Sequence, residues 1–299
     1  MAEQSNFLAE KRYAVVTGAN KGIGLEICRQ LASQGVIVLI TSRDGKKGLE
    51  ALNDLIKSGI SSDNLHYHQL DVTDPMSITA LAGFINSKFG KLDILVNNAG
   101  IGGFIIDYDA IKAIGFRNIN YDEMMTQTYE LAKECLETNY YGVKRTTEAL
   151  LPQLELSDSP RIINVSSSTG MLKNIPNERI RGVLGDAENL TEEKVEAILN
   201  ELLTDFKDGS FKEKEWPSRM AAYTLSKAAL NAYARILAKK YPSIIISCVC
   251  PGVTKTDMNG NLGQLTVEEG AASPVRVALM PHGSPSGLFY ARSEVSSYE

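Results

Sequence analysis

The chain reads as an α/β protein, doubly wound around a mostly parallel sheet of seven strands. Two patterns predict this. Short, near-continuous apolar runs alternate with longer amphipathic ones, and a glycine-rich turn follows the first run at once. Apolar strands of this kind suit a parallel sheet covered on both faces. Their alternation with helical segments suits βαβ units joined by crossover helices.

Strands are predicted at residues 13–17 (YAVVT), 36–41 (VIVLIT), 65–70 (LHYHQL), 92–97 (LDILVN), 161–166 (RIINVS), 244–250 (IIISCVC) and 287–291 (GLFYA). A helix over 25–34 ends at Gly35, a fitting residue just past a helix C-terminus. Another, over 76–90, follows Asp74-Pro75, an N-cap with proline at the first helical position. Residues 169–220 break the rhythm. They are polar and charged and contain one predicted helix, 191–206, opened by Thr191 and two glutamates. Lacking strands, they read as a helical insert on one domain spanning 1–299, not as a second domain.

With 299 residues the chain is long enough for a substantial core. A net charge of −5 argues against nucleic acid or an anionic membrane as partner, since both attract basic surfaces. No apolar run has signal-peptide or membrane-spanning length. Cys28, Cys135, Cys248 and Cys250 are scattered, and the C-x-C pair lies in a strand where alternate side chains face opposite ways. They read as reduced thiols in a cytoplasmic protein. His66, His68 and His282 show no ligand spacing, so no metal is expected.

After the first strand comes TGANKGIG, in which Gly18, Gly22 and Gly24 let the backbone turn sharply and approach a phosphate. The helix that follows would aim its amides and its positive dipole end at the anion. Strand before and helix after are the context that gives a glycine pattern meaning. This predicts a dinucleotide cradle that includes Asn20, Lys21 and Ile23. The second strand ends Thr41-Ser42-Arg43. A guanidinium suits a 2′-phosphate, so the cofactor is expected to be NADP(H) rather than NAD. Asp44 stands one position on, where it can instead open the next helix, and Lys47 on that helix would add positive field. Asp71 and Val72 follow the third strand and are placed for the adenine. Asn97 and the Asn98-Ala99-Gly100 turn follow the fourth, at the carboxyl edge where ligands bind.

The stretch AAYTLSKAAL carries Tyr223 and Lys227 four apart in a helical run, hence on one face. Together with TGANKGIG, NNAG, Asn139 in ETNYYG, the serines after RIINV, and Pro251-Gly252 before VTKTDM, it resembles the short-chain dehydrogenase/reductases. The resemblance runs in order from about residue 12 to 292. KFGKLDILVNNAG, LSDSPRIINVSSSTG and the insert before Tyr223 look most like its plant salutaridine reductase and menthone (neomenthol) reductase group. It implies a Rossmann-type fold and a ketone reductase in which Tyr223 gives a proton to the carbonyl oxygen.

Lys227 would favour the phenolate and bring the tyrosine closer to working pH. The resemblance further implies that Lys227 binds the nicotinamide ribose, that a serine holds the carbonyl, and that Asn139 supports a water on the lysine. Of Ser166, Ser167 and Ser168, aligning N-x-S-S on Asn164–Ser167 selects Ser167. Pro251, Gly252, Val253 and Thr256 match the segment that seats the carboxamide.

The long insert separates Ser167 from Tyr223 more than in many relatives. The resemblance suggests that it covers the helices which otherwise pair subunits, leaving a monomer, and roofs the substrate site. A lipophilic cyclic ketone, such as a monoterpenoid or alkaloid, would meet Ile101, Phe104, Met171, Met220 and Met258, with Tyr108 and Trp216 as further candidates. Two alternatives stand beside this reading. One is reduction of a conjugated C=C bond, which a relative in the same plant group performs without the tyrosine. The other is a non-catalytic NADP(H)-binding regulator.

Overall fold

A computed structural model describes residues 11–108, 111 and 124–299. The main sheet holds β1 (Tyr13–Val16), β2 (Ile37–Ser42), β3 (Leu65–Gln69), β4 (Ile94–Asn97), β7 (Arg161–Val165), β8 (Ile245–Cys250), β9 (Leu288–Ala291) and β10 (Glu294–Ser296). Its order is β10-β9-β8-β7-β4-β1-β2-β3. Strands β1, β2 and β3 step one way from the centre, and β4, β7, β8 and β9 step the other. The direction changes between β1 and β4, and a crevice opens there at the carboxyl edge. Every pairing is parallel except β9 with β10.

The sheet therefore has eight strands where seven were expected. The eighth, Glu294–Ser296, is three residues long, carries one apolar side chain and lies on the edge. It turns back at Arg292, which holds a φ of +58° that glycine or asparagine usually supplies in such a hairpin. Short β5 (Ile105–Ile106) and β6 (Met125–Thr126) pair separately.

Adjacent residues of each central strand enter different cores, as strand geometry requires. Val15, Leu39, Leu95 and Ile162 face one layer; Val16, Ile40, Val96 and Ile163 face the other. The second layer is closed by α1 (Gly22–Ser33), α2 (Gly45–Lys57) and α9 (Val267–Ala278). The first is closed by α3 (Pro75–Lys88), α4 (Tyr129–Leu136), α5 (Gly142–Leu154) and α8 (Ala221–Lys240). Asp74 caps α3 with Pro75 at its start, and Gly35 past α1 takes a φ of +80°.

The insert contributes α6 (Glu178–Gly185) and α7 (Glu192–Asp208). Asn177 caps α6 and Thr191 caps α7. Ile180, Leu184, Val195, Ile198, Leu199 and Leu202 join the same core cluster as α5 and α8. Lys144 on α5 pairs with Glu192 and Glu196 on α7, at 2.7 Å each. Because its apolar face is the outer surface of the main core, the insert is an extension of that layer. Among the described residues no helix is long and apolar enough to cross a membrane, and no cluster of His, Cys, Asp and Glu could hold a metal. All four cysteines are free and buried.

Candidate active site

The glycine turn is built against the loop that follows β4. The amides of Asn98 and Ala99 donate to Thr17 Oγ1, and Asn98 Nδ2 donates to the carbonyls of Thr17 (2.9 Å) and Gly18 (3.1 Å). Gly18 holds a φ of +62°, and a Cβ there would lie 2.8 Å from the Ala99 Cα. A Cβ on Gly24 would meet Asn98 Nδ2 at 2.3 Å. Gly22 also has positive φ, and the Thr256 methyl lies beside it. Lys21, at the N-cap of α1, makes no side-chain cap, and the first turn carries no acid. The first amides of α1 are thus left to an outside acceptor. A cradle this bare of side chains fits a dinucleotide pyrophosphate. Asn20 and Ile23 are half-buried beside it.

Arg43 stands exposed just past β2, whereas the Asp44 side chain accepts from the Lys47 amide and caps α2. Both residues are exposed, but the Asp44 carboxylate is engaged in this cap. Lys47 is exposed on the first turn of α2. Lys21 is tied to Asp257 at 2.6 Å, so its positive field is shared with a carboxylate. Asp71 accepts from the Thr73 amide and hydroxyl, and Val72 packs against Gly142. Asn97 is structural: its Nδ2 donates to Asn164 and Thr147, tying β4 to β7 and α5. Past β8, Pro251 is buried, Gly252 takes a φ of +81° and Val253 is 61% exposed.

Tyr223 and Lys227 lie on one face of α8. Lys227 Nζ sits 5.7 Å from the Tyr223 ring centroid and donates to the Val165 carbonyl at 2.9 Å. The Ser167 hydroxyl approaches the Tyr223 phenol. Ser166 is spent elsewhere, donating to Asn231 at 2.7 Å. Burial pushes the Tyr223 phenol up to about 12; the influence that pulls it back is the Ser167 hydroxyl. The largest influence on the phenol is thus burial, which runs against the expectation that Lys227 brings the tyrosine closer to working pH. Burial also lowers Lys227 to about 8.

Asn139 lies in a π-helical turn, Glu137–Tyr141, between α4 and α5. Such turns recur at functional sites. Its side chain is fully committed. Oδ1 accepts from the Ile101 amide, and Nδ2 donates to the Ile101 carbonyl at 2.9 Å and to Ser226 Oγ at 3.0 Å, with Cys135 Sγ 3.3 Å away. Ser226 in turn donates to the Tyr223 carbonyl at 2.7 Å. Asn139 thereby links the loop after Gly100 to the helix of Tyr223. Gly100 leaves room there, since a Cβ on it would lie 3.2 Å from Asn139 Oδ1 and 3.6 Å from Lys227 Nζ.

Sequence reasoning missed Ser226, Cys135 and Thr17. The position of Ser226, three past Tyr223 and so on nearly the same helical face, was the available signal.

The apolar candidates divide. Ile101 is pinned by Asn139, Phe104 folds its ring over Gly102, Met220 sits half-buried at φ +50° before α8, and Met258 is 42% exposed. Met171 and Trp216 are instead buried in the main core, where Trp216 Nε1 donates to Asp205. The same cluster holds Ile180, Leu184, Val195 and Leu202 of the insert.

A phosphate cradle at the switch point, with a partly buried phenol and a buried ammonium at the same edge, defines an oxidoreductase that works with a nicotinamide dinucleotide. More narrowly, the chain belongs to the short chain dehydrogenase family, whose model matches residues 12–178 and 209–266. The unmatched stretch between them, 179–208, takes in α7 and all of α6 but its first residue. The chain is 70% identical to Short-chain dehydrogenase/reductase 1 of Saponaria officinalis over the whole of both chains. It is 59% identical to (+)-neomenthol dehydrogenase of Arabidopsis thaliana, covering 96% of this chain and 98% of that one. The solved structure of salutaridine reductase from Papaver somniferum superposes with a TM-score of 0.89 at 52% identity, over 94% of this chain and 99% of that one.

Proposed function

We propose that the protein is an NADPH-dependent carbonyl reductase acting on a lipophilic cyclic ketone of monoterpenoid or alkaloid type. The observation that carries this is the Tyr223 phenol beside the Ser167 hydroxyl, on the helix face that also bears Lys227, whose Nζ lies 5.7 Å from the ring centroid. Burial makes this phenol a weaker acid, so its proton would pass only as negative charge develops on the carbonyl oxygen. Ser167 would hold the carbonyl oxygen, and Tyr223 would protonate that oxygen. The nicotinamide, when bound, supplies hydride to the carbonyl carbon. Lys227 would hold the nicotinamide ribose, which takes the place of the Val165 carbonyl as its partner. Asn139, with its side chain occupied by Ile101 and Ser226, would serve the proton relay through its backbone.

The cofactor would lie across Gly18, Gly22, Gly24, Asn98, Ala99 and Gly100, with its 2′-phosphate at Arg43 and its carboxamide at Pro251, Gly252, Val253 and Thr256. The names of the Arabidopsis and Papaver relatives, a neomenthol dehydrogenase and a salutaridine reductase, support the substrate class. The apolar character of Ile101, Phe104, Met220 and Met258 fits it. The insert is proposed to roof this site and, by covering α8, to keep the chain monomeric.

The test is NADPH consumption by the purified protein with menthone-like, alkaloid and simple aromatic ketones, followed by product analysis. An alcohol is expected. A saturated ketone from a cyclic enone would instead assign C=C reduction, and binding of NADPH with no turnover on any ketone would assign a non-catalytic role.

A further inference from the structure

Tyr108, two residues past β5, reaches the loop after β8. Its hydroxyl donates to the Met258 carbonyl at 2.7 Å. Its ring covers Gly260, where a Cβ would lie 2.5 Å from the ring Cγ. Gly260 also holds a φ of +59°, so residue 260 is bare for two independent reasons. Both ends of Tyr108 are therefore engaged by the opposite loop.

That loop contains a tight turn, Asp257–Asn259. The amides of Asn259 and Asn261 donate to the Thr256 carbonyl, and that of Gly260 donates to Asp257. On its other flank the turn is fastened to the dinucleotide cradle by Lys21–Asp257. The loop carrying Tyr108 begins at Ile101, itself pinned by Asn139. The turn is thus held between the cofactor side and the substrate side.

We infer that Tyr108 is a positioning residue that fixes the spacing of these two loops and so sets the width of the substrate cleft. It does this from outside the reacting atoms, since its hydroxyl and ring are occupied by protein. The inference rests on the carbonyl-reductase reading for its effect on ketones, but the fastening itself does not.

Two measurements separate these. In the free protein, Tyr108→Ala is expected to speed amide hydrogen exchange at Asn259, Gly260 and Asn261 while leaving the interior of α1 unchanged. Unchanged exchange at those three amides would overturn the inference whatever the protein reduces. In turnover, Tyr108→Ala is expected to change the ratio of KM for a bulky cyclic ketone to KM for a small carbonyl by about tenfold, with the dissociation constant of NADPH unchanged. Tyr108→Phe, which keeps the ring and loses one hydrogen bond, is expected to shift it about fivefold or less. Gly260→Ala should mimic Tyr108→Ala, because the added methyl would lie 2.5 Å from the ring Cγ and push the ring off the turn. Equal shifts in KM for both ketones, or weakened NADPH binding in Tyr108→Ala, would contradict a role in cleft width.

Discussion

Lys227 Nζ lies 5.7 Å from the centre of the Tyr223 ring but makes its hydrogen bond to the Val165 carbonyl. The ammonium and the phenol are neighbours without being partners. Burial dominates both groups, in opposite directions: it raises Tyr223 to about 12 and lowers Lys227 to about 8. At neutral pH the phenol keeps its proton and the amine keeps its charge, the state needed for reduction. Reduction, read as kcat/KM, is expected to fall as pH rises through about 8, where Lys227 loses its proton. The folded value lies below the ordinary lysine value of roughly 10.4, so in that window the unfolded chain binds more protons. This group's contribution to stability therefore improves as pH rises, and the loss of activity should not follow the melting temperature. A pH–rate profile beside a pH–Tm series checks both signs.

Arg43 is exposed past β2 while Asp44 is engaged as the cap of α2. Arg43→Ala is expected to raise KM for NADPH by about tenfold or more, the loss of one charge-assisted bond, with little change for NADH. Asp44→Asn preserves the cap and should leave the preference unchanged. Paired kinetics with the two cofactors decide it.

A methyl on Gly18 would meet backbone at 2.8 Å, on a residue already at φ +62°. Gly18→Ala is expected to abolish cofactor binding and to lower stability by more than the roughly 1–2 kcal/mol of left-handed backbone alone. Gly182, inside α6, has no heavy atom within 4 Å of the added Cβ. Gly182→Ala should stabilise by up to about 1 kcal/mol. Chemical denaturation of the two variants gives the comparison.

The chain has one tryptophan, Trp216, and it donates to the buried carboxylate of Asp205 at 2.8 Å. Lys214 donates to the other Asp205 oxygen at 2.7 Å. Burial pushes the Asp205 carboxyl up, but these hydrogen bonds outweigh it and hold it below the usual range. Such a group stabilises above its unfolded value, near 3.9, and the contribution is lost as pH falls through the folded value. Trp216 emission is expected to shift to the red on acidification below about pH 4. In Asp205→Ala the shift should be present at neutral pH, with about 1–3 kcal/mol lost through an unpaired buried indole N–H.

The seven parallel strands were legible because strands buried on both faces are written in continuous apolar residues, as in VIVLIT and RIINVS. Glu294–Ser296 was not, because an edge strand needs no such run and its Arg292 turn lacks the usual glycine. Tyr223 and Lys227 were readable through helical spacing. The choice of Ser167 is sharpened by a contact no local pattern contains, the bond from Ser166 to Asn231, 65 residues on. Met171 and Trp216 show the opposite limit: an apolar residue looks alike in a core and in a cleft. Spacing also placed Lys227 beside Tyr223 without revealing that burial would be the largest influence on the phenol.

The most direct measurement is turnover of a cyclic ketone by Tyr223→Phe at saturating NADPH, with NADPH affinity determined on the same sample. Loss of about 100-fold or more in kcat, the usual worth of a general acid, with cofactor affinity retained is the predicted result. Turnover within a few-fold of the unsubstituted protein would contradict the assignment of Tyr223 as proton donor.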